Sequence, residues 1–154
     1  MLQIAVPKET AAHENRVALS PAAVSQLIKD EHQVLIEKGA GDASNFLDQD
    51  YTDAGATIAT NRSEIFSQAD LVLAVQTPSE DDLGLMKKGS TLICFLWALQ
   101  HPELVEKLKS LGITALGMDA IPRISRAQNM DALSSMSSIA GYKAALMAAS
   151  ELDK

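Results

Sequence analysis

The chain has 154 residues, of which 47% are hydrophobic and 21% charged, and this composition fits a globular protein large enough to bury a core. Its formal net charge of −7 argues against a surface for nucleic acid or anionic membranes, because such surfaces need clustered Lys and Arg. One cysteine excludes an internal disulfide, and the absence of a secretory pattern or of an apolar run of ~18–20 residues predicts a soluble chain.

In chain order, short apolar runs alternate with helical patterns. Pro7 ends the first run, and Ser20 followed by Pro21 is the expected cap and first residue of a helix. The predicted strands are residues 2–6, 34–36, 56–58, 71–75, 91–96 and 113–117. Two short helices are predicted over residues 51–54 and 62–68. Four others are predicted to begin at Pro21, after a capping box at Ser79, at Pro102 and after Asn129, and the one at Pro102 ends near residue 112.

Strands that alternate with helices need crossover connections, so the sequence predicts an α/β fold. The expected architecture is a doubly wound, mostly parallel sheet with helices on both faces, as in a Rossmann or flavodoxin-like lobe. Ligands of such sheets bind beyond the carboxyl ends of the strands. The candidate loops are therefore those after Val6, Val75, Leu96 and Gly117.

A polar segment that contains arginine leads into the last predicted helix. Pro122 closes the apolar run before it, and Asn129 is the predicted N-cap, with Asp131 in the first turn. One face of this helix carries Asp131, Ser134, Ser138 and Tyr142. An apolar stripe beside it consists of Leu133, Met136, Ala140, Ala144 and Met147.

The side chains of this segment have complementary hydrogen-bonding chemistry. Arg123 offers a fixed fork of N–H donors and Gln128 an amide, while Asp131 accepts and Ser134 does both. This set suits the binding of a small planar polar ligand. It suits equally an N-capped helix after a solvated loop, with Arg123 and Asp131 paired across the surface, and the residues alone leave both interpretations open.

The run PRISRAQNMDALSSMSSIAGYKA, residues 122–144, closely resembles the mobile loop and following helix of the peripheral nucleotide-binding domain of proton-translocating NAD(P) transhydrogenase, alpha subunit. The resemblance implies catalytic roles for Arg123, Gln128 and Asp131. It also implies that the nicotinamide end of NAD(H) is bound by Arg123, Asp131 and Ser134, and that Gln128 reaches toward NADP(H). Tyr142 is added as a cofactor-binding candidate from the same helix face.

The resemblance extends from Val6-Pro7-Lys8-Glu9 to the last helix and covers the first lobe of the family's domain. It implies a Rossmann-like lobe over residues 1–128, with a mobile loop at 121–131, and a connecting helix over 129–154. NAD(H) would be held mostly by a second lobe, and NADP(H) by a partner domain. The expected partners are the rest of the alpha subunit, that NADP(H) domain, a membrane domain and a second copy in a homodimer. The domain would lie on the cytoplasmic or mitochondrial-matrix side of a membrane, and the fragment alone is expected to be inactive.

The loop over residues 8–17 also resembles alanine dehydrogenase, whose matching arginine binds the substrate carboxylate and falls here on Arg16. Without the resemblance, Arg16 fits a surface or structural ion pair. Alanine dehydrogenase also uses a lysine after its fourth strand and a histidine after the next. The segment around Gln76 has no lysine, and Trp97 stands in place of the histidine.

Keto-acid amination needs proton transfer, whereas hydride transfer between two nicotinamides needs only alignment of the rings about 3–3.5 Å apart. These residues therefore favour transhydrogenase over an alanine dehydrogenase-like enzyme or a non-enzymatic interaction module.

Four further expectations are local. Cys94 is a buried, inert thiol, Trp97 serves packing, with recognition as the alternative, and the segment from Gly39 to Gly41 is a turn rather than a dinucleotide fingerprint. His13, His32 and His101 lack the spacing of metal ligands.

Overall fold

The computed structural model of the chain describes residues 1–152. It contains two compact units, Met1–Gly117 and a second unit that begins at Met118. The predicted boundaries of a lobe over residues 1–128 and a connecting helix over 129–154 stay a prediction.

The first unit is built on one sheet of six strands, all parallel. The strands are Gln3–Val6 (β1), Gln33–Glu37 (β2), Thr57–Ala59 (β3), Leu71–Leu73 (β4), Thr91–Cys94 (β5) and Thr114–Gly117 (β6). Their spatial order is β3-β2-β1-β4-β5-β6, so the chain winds outward from β1 in one direction and then restarts beside it at β4. This confirms the predicted doubly wound α/β sheet.

Five helices cover the two faces of this sheet. They are Pro21–Lys29 (α1), Asp48–Asp53 (α2), Arg62–Gln68 (α3), Glu80–Leu85 (α4) and Pro102–Leu111 (α5). Side chains of a strand alternate between faces, so Val6 packs in the core with α1 and α2, while Ala5 packs in the core with α3, α4 and α5. Burial on both faces explains the near-continuous apolar strands.

The local signals for helix ends are confirmed in most cases. The Ser20 side chain accepts from the N–H of Ala23 at 3.3 Å, and that of Ser79 from the N–H of Asp82 at 3.2 Å. Gly112 ends α5 with a φ of 69°, a left-handed conformation that glycine adopts without steric cost. The predicted turn at Gly39–Gly41 leads into a short 3₁₀ helix, Asp42–Ser44. Cys94 is fully buried, as predicted.

Some predicted bounds are wrong by two or three residues. β4 ends at Leu73 rather than residue 75, and beyond this end the N–H groups of Val75 and Gln76 donate to the carboxylate of Glu9. The strand predicted to end at 96 stops at Cys94. Helix α2 begins at Asp48 rather than 51, because the Asp50 side chain accepts the N–H of Leu47 at 2.7 Å and caps the helix there.

The second unit consists of two 3₁₀ turns, Met118–Ala120 and Ser125–Met130, and a helix, Ala132–Glu151 (α6). Asn129 was the wrong choice of N-cap, because it lies inside the second turn and Asp131 caps α6 instead. No residue of α6 is buried, so its predicted apolar stripe lies at the surface of the described chain. None of the helices within residues 1–152 is long and apolar enough to span a bilayer.

Candidate functional site

The first candidate site lies at the carboxyl edge of the sheet, where the loop after β1 meets the loop after β4. Glu9 joins the two loops: its Oε1 accepts the N–H of Val75 at 2.6 Å and its Oε2 accepts the N–H of Gln76 at 3.2 Å. Burial raises the pKa of Glu9, and these two hydrogen bonds oppose that rise. Because both oxygens bind backbone N–H groups, Glu9 acts as a clamp between β1 and β4.

Glu14 and Arg16 form a two-pronged ion pair in the same loop. The Nε of Arg16 donates to Oε1 of Glu14 at 2.7 Å, and its Nη2 donates to Oε2 at 2.6 Å. The amide of Gln76 donates to the same carboxylate at 2.8 Å. The hydrogen bond from Arg16 is the main reason that the pKa of Glu14 falls to about 2. Glu14 is therefore a carboxylate at any physiological pH.

The exposure of this pair is uneven. The side chain of Glu14 is 7% exposed and that of Arg16 is 36% exposed. Glu14 occupies the side of the guanidinium formed by Nε and Nη2, and within residues 1–152 no hydrogen bond engages Nη1. The structure thus contains the ion pair that the residues alone predicted, and Arg16 keeps an outward edge with which it could bind an anion.

Two aromatic rings extend this cluster along the sheet edge. The guanidinium of Arg16 lies 5.6 Å from the ring centre of Phe95, and the rings of Phe95 and Trp97 are stacked at 6.3 Å with planes 21° apart. Trp97, predicted to serve packing, is 40% exposed.

A second cluster borders the same edge and is centred on Arg62, the first residue of α3. Its Nε and Nη2 donate to the two oxygens of Asp82 at 3.0 and 2.8 Å. Its Nη1 donates to Glu37 at 2.7 Å and to the carbonyl of Lys8 at 3.0 Å. Arg62 thereby ties together the ends of β1 and β2 and the starts of α3 and α4. It lines a cleft of about 190 Å³ whose other walls include Glu9 and Gln76.

The second candidate site is the segment before α6, in the second unit. Oδ1 of Asp131 accepts the N–H of Ser134 at 2.9 Å, and Oδ2 accepts its hydroxyl at 2.5 Å. These two bonds, helped by the positive charge of Arg123, lower the pKa of Asp131. Asp131 is thus held as a carboxylate, only 7% exposed, at the positive end of a 20-residue helix.

The other predicted residues of this segment face outward. Arg123 and Gln128 are exposed, and within residues 1–152 their side chains make no hydrogen bond. Tyr142 is 70% exposed on the same helix as Ser134. The structure therefore brings Asp131 and Ser134 into direct contact and leaves three polar side chains with free hydrogen-bonding groups.

Glu9, Glu14 and Arg62 were not singled out from the sequence. Glu9 and Arg62 share a signal, a charged side chain soon after a predicted strand or at the start of a predicted helix on the ligand-binding edge, whereas Glu14 lies in mid-loop and has no such signal. No group of three or more His, Cys, Asp or Glu side chains in the described part of the chain could hold a metal ion.

Comparison with known proteins gives consistent matches along the chain. The family model described as "Alanine dehydrogenase/PNT, N-terminal domain" matches residues 5–140. The NAD(P) transhydrogenase subunit alpha of Haemophilus influenzae is 45% identical over 148 residues, which are 96% of this chain and 28% of that protein. The alanine dehydrogenase of Bacillus subtilis is 38% identical over 151 residues, which are 98% of this chain and 39% of that protein.

A solved structure agrees with these matches. The crystal structure of transhydrogenase from Sinorhizobium meliloti superposes with a TM-score of 0.92 at 35% identity, over 99% of this chain and 43% of that one. The chain therefore spans less than half the length of each of these proteins.

Proposed function

The chain belongs to the alanine dehydrogenase/PNT N-terminal domain family, and from this premise we propose that it acts as the first lobe of the NAD(H)-binding part of an NAD(P) transhydrogenase. In this proposal the lobe supplies a loop that positions a nicotinamide ring. The complete enzyme transfers a hydride from NADH to NADP⁺ and couples the transfer to proton translocation. The chain alone has no dehydrogenase activity.

The observation that carries the proposal is the chemistry of two positions at the carboxyl edge of the sheet, Gln76 after β4 and Trp97 after β5. The Gln76 side chain cannot titrate, and its amide already binds Glu14. Trp97 cannot exchange a proton at neutral pH, and both oxygens of Glu9 bind backbone N–H groups. Keto-acid amination requires proton transfer, whereas direct hydride transfer between two nicotinamides does not.

The segment before α6 has the groups that holding a nicotinamide requires. Arg123 can donate to the carboxamide oxygen of the ring, and the free lone pairs of Asp131 can accept from its NH₂ group. Ser134 holds Asp131 in the ionised form that accepts. Gln128, exposed and without a partner inside the described chain, reaches toward the second nucleotide, and Tyr142 flanks the ring from the helix.

The remaining parts of the proposal concern the complete protein. A second lobe supplies most of the NAD(H) contacts, and a separate domain holds NADP(H). The segment over residues 121–131 opens for nucleotide exchange and closes for transfer, since a polar and exposed segment has little packing to lose. A membrane domain moves the protons, and the whole forms a homodimer with this lobe on the cytoplasmic or matrix side.

Gln128→Asn in the complete enzyme tests the proposal. Shortening this side chain by one methylene misaligns the two rings without removing a contact to NADH, so we expect hydride transfer to slow by about 100-fold. NADH affinity, measured by equilibrium titration, stays within twofold of that of the unmodified enzyme. Equal losses in the transfer rate and the affinity would instead assign Gln128 a simple binding role.

One observation favours a second candidate function. The outward edge of Arg16 is exposed at the carboxyl end of β1, where it could bind the carboxylate of a keto acid, as in an alanine dehydrogenase-like enzyme. Oxidation of NADH by the complete protein with pyruvate and ammonia distinguishes the two functions. We expect no turnover with these substrates, and turnover abolished by Arg16→Met would establish the second function.

A further inference from the structure

Trp97 has a backbone conformation that its side chain does not explain. Its φ is +50°, in the left-handed region that bulky residues rarely adopt. The conformation serves a turn, because the Trp97 carbonyl accepts the N–H groups of Gln100 at 2.8 Å and His101 at 3.1 Å just before α5. Glycine would form the same turn without steric cost, as Gly112 does at the other end of this helix. The turn therefore explains the carbonyl of Trp97 but gives no reason for an indole.

Core packing does not explain the indole either. One face of Trp97 stacks on Phe95, which is itself 7% exposed and lies beside the Arg16 guanidinium. The residue nevertheless remains 40% exposed. A flat, electron-rich ring thus lies nearly parallel to a buried ring and is still partly open to solvent.

The surroundings of Trp97 point to recognition by stacking. Trp97 follows β5 at the carboxyl edge of the sheet, where doubly wound folds bind ligands. The segment from Phe95 to Gln100 contains no titratable side chain. A ligand on this ring would therefore meet no acid or base from this segment, and the guanidinium of Arg16 lies against Phe95 rather than against the indole.

We propose that the Trp97 indole is a binding platform for a planar, electron-poor ring of the pyridinium class. The negative face of an indole attracts a positively charged or electron-poor ring, and such contacts strengthen where water is excluded on one side. The choice of a pyridinium rests on the proposed function, because oxidised nicotinamide is a ring of this kind. The platform itself rests on the geometry of Trp97 and Phe95 alone.

Trp97 is the only tryptophan of the chain, so its fluorescence reports on this site directly. The 154-residue chain is titrated with 1-methylnicotinamide, and N-acetyltryptophanamide is titrated in parallel. We expect saturable quenching with a dissociation constant at least about fivefold lower than that of the free amide. Acrylamide and caesium, which quench by collision, should quench the fluorescence of both the chain and the free amide in linear proportion to their concentration. Quenching by 1-methylnicotinamide that is linear, or no tighter than for the free amide, overturns the proposal.

Variants separate binding from folding. Trp97→Gly should abolish saturation transfer from the protein to 1-methylnicotinamide in NMR while it keeps the helix content of the unmodified chain by circular dichroism, because glycine suits the turn. Leu99→Ala, at a fully exposed position two residues away, should leave the transfer unchanged. Saturation transfer that survives in Trp97→Gly rejects the platform.

The fluorescence titration and the measurement on Gln128→Asn can fail separately. Loss of the platform would leave the Gln128→Asn result in the complete enzyme unaffected, and a normal transfer rate in that variant would leave the fluorescence titration unaffected. Each proposal therefore fails on its own measurement.

Discussion

Glu9 and Glu14 show how two carboxylates five residues apart acquire opposite properties. Burial raises the pKa of Glu9, and the hydrogen bonds from two neutral N–H groups offset only part of that rise. The pKa of Glu14 falls to about 2, because a guanidinium binds both of its oxygens. The surroundings of each group therefore decide the direction in which its pKa shifts, and distance along the chain does not.

The Glu14 ion pair should make folding sensitive to acid. Its pKa in the folded chain is about 2 against 4.5 without partners, so its contribution is complete above pH 4.5 and is lost as the pH falls toward 2. We expect a contribution of about 1–2 kcal/mol, because Arg16 is partly exposed and solvent screens the pair. Urea unfolding of Glu14→Gln across this range should show a weaker loss of stability with acid. Glu106→Gln, at a side chain that is 72% exposed, is the control, and an equal pH slope in all three proteins contradicts the assignment.

Arg62 should contribute more to stability than any surface ion pair. Arg62→Met leaves Glu37 and Asp82, whose side chains are only 15% and 11% exposed, without their cation. Unpaired carboxylates in such positions are costly, so we expect a loss of about 2–3 kcal/mol in the free energy of unfolding. Lys87→Met removes the partner of Asp70 in a pair that is nearly half exposed on both sides, and should cost less than about 1 kcal/mol. Chemical denaturation of both variants tests the ranking, and equal losses would show that Arg62 is not a structural centre.

At the scale of elements, the start of α6 joins a structural role to a functional one. Asp131→Asn keeps a good N-cap and removes the charge, while Asp131→Ala removes both. We expect Asp131→Ala to destabilise α6 by about 1 kcal/mol and Asp131→Asn to retain its helix content by circular dichroism. In the complete enzyme both variants should bind NADH more weakly. Full NADH affinity in Asp131→Asn would show that the charge has no role in binding.

The same elements show which features local sequence predicts. The start of α1 at Pro21 and both bounds of α3, Arg62 and Gln68, were predicted correctly, because caps and turn residues act within a few positions. The start of β4 was predicted correctly, but its carboxyl end was not, and there Val75 binds Glu9, which is 66 residues away in the chain. The cap of α6 was missed by two residues because Asn and Asp are equally good caps, and only the 3₁₀ turn decides between them.

The candidate site was predictable in the same uneven way. The segment from Arg123 to Ser134 is contiguous, so its residue types could be identified from the sequence. The contact between Glu14 and Gln76 joins residues 62 apart, and nothing in either segment predicts it. The stack of Phe95 on Trp97 depends on a left-handed backbone that no sequence rule assigns to tryptophan.

At the scale of the whole molecule, the proposed function separates positioning a ring from holding a dinucleotide. Binding of a dinucleotide pyrophosphate in Rossmann lobes relies on a glycine-rich turn and the start of a helix. The pattern Gly-x-Gly-x-x-Gly occurs nowhere in these 154 residues, and the net charge of −7 repels the two phosphates. What the chain offers instead are polar groups before α6 and the aromatic stack of the sheet edge.

The chain by itself should therefore bind NADH no more tightly than it binds an isolated ring. We expect a dissociation constant of about 1 mM or weaker by calorimetry, equivalent to about −4 kcal/mol, because nothing anchors the pyrophosphate or the adenine end. The complete protein under the same conditions is the comparison, and it should bind NADH at least about 100-fold more tightly if a second lobe supplies those contacts. Micromolar binding by the 154-residue chain would show that this lobe holds the dinucleotide itself, and the division of labour between the lobes would then be wrong.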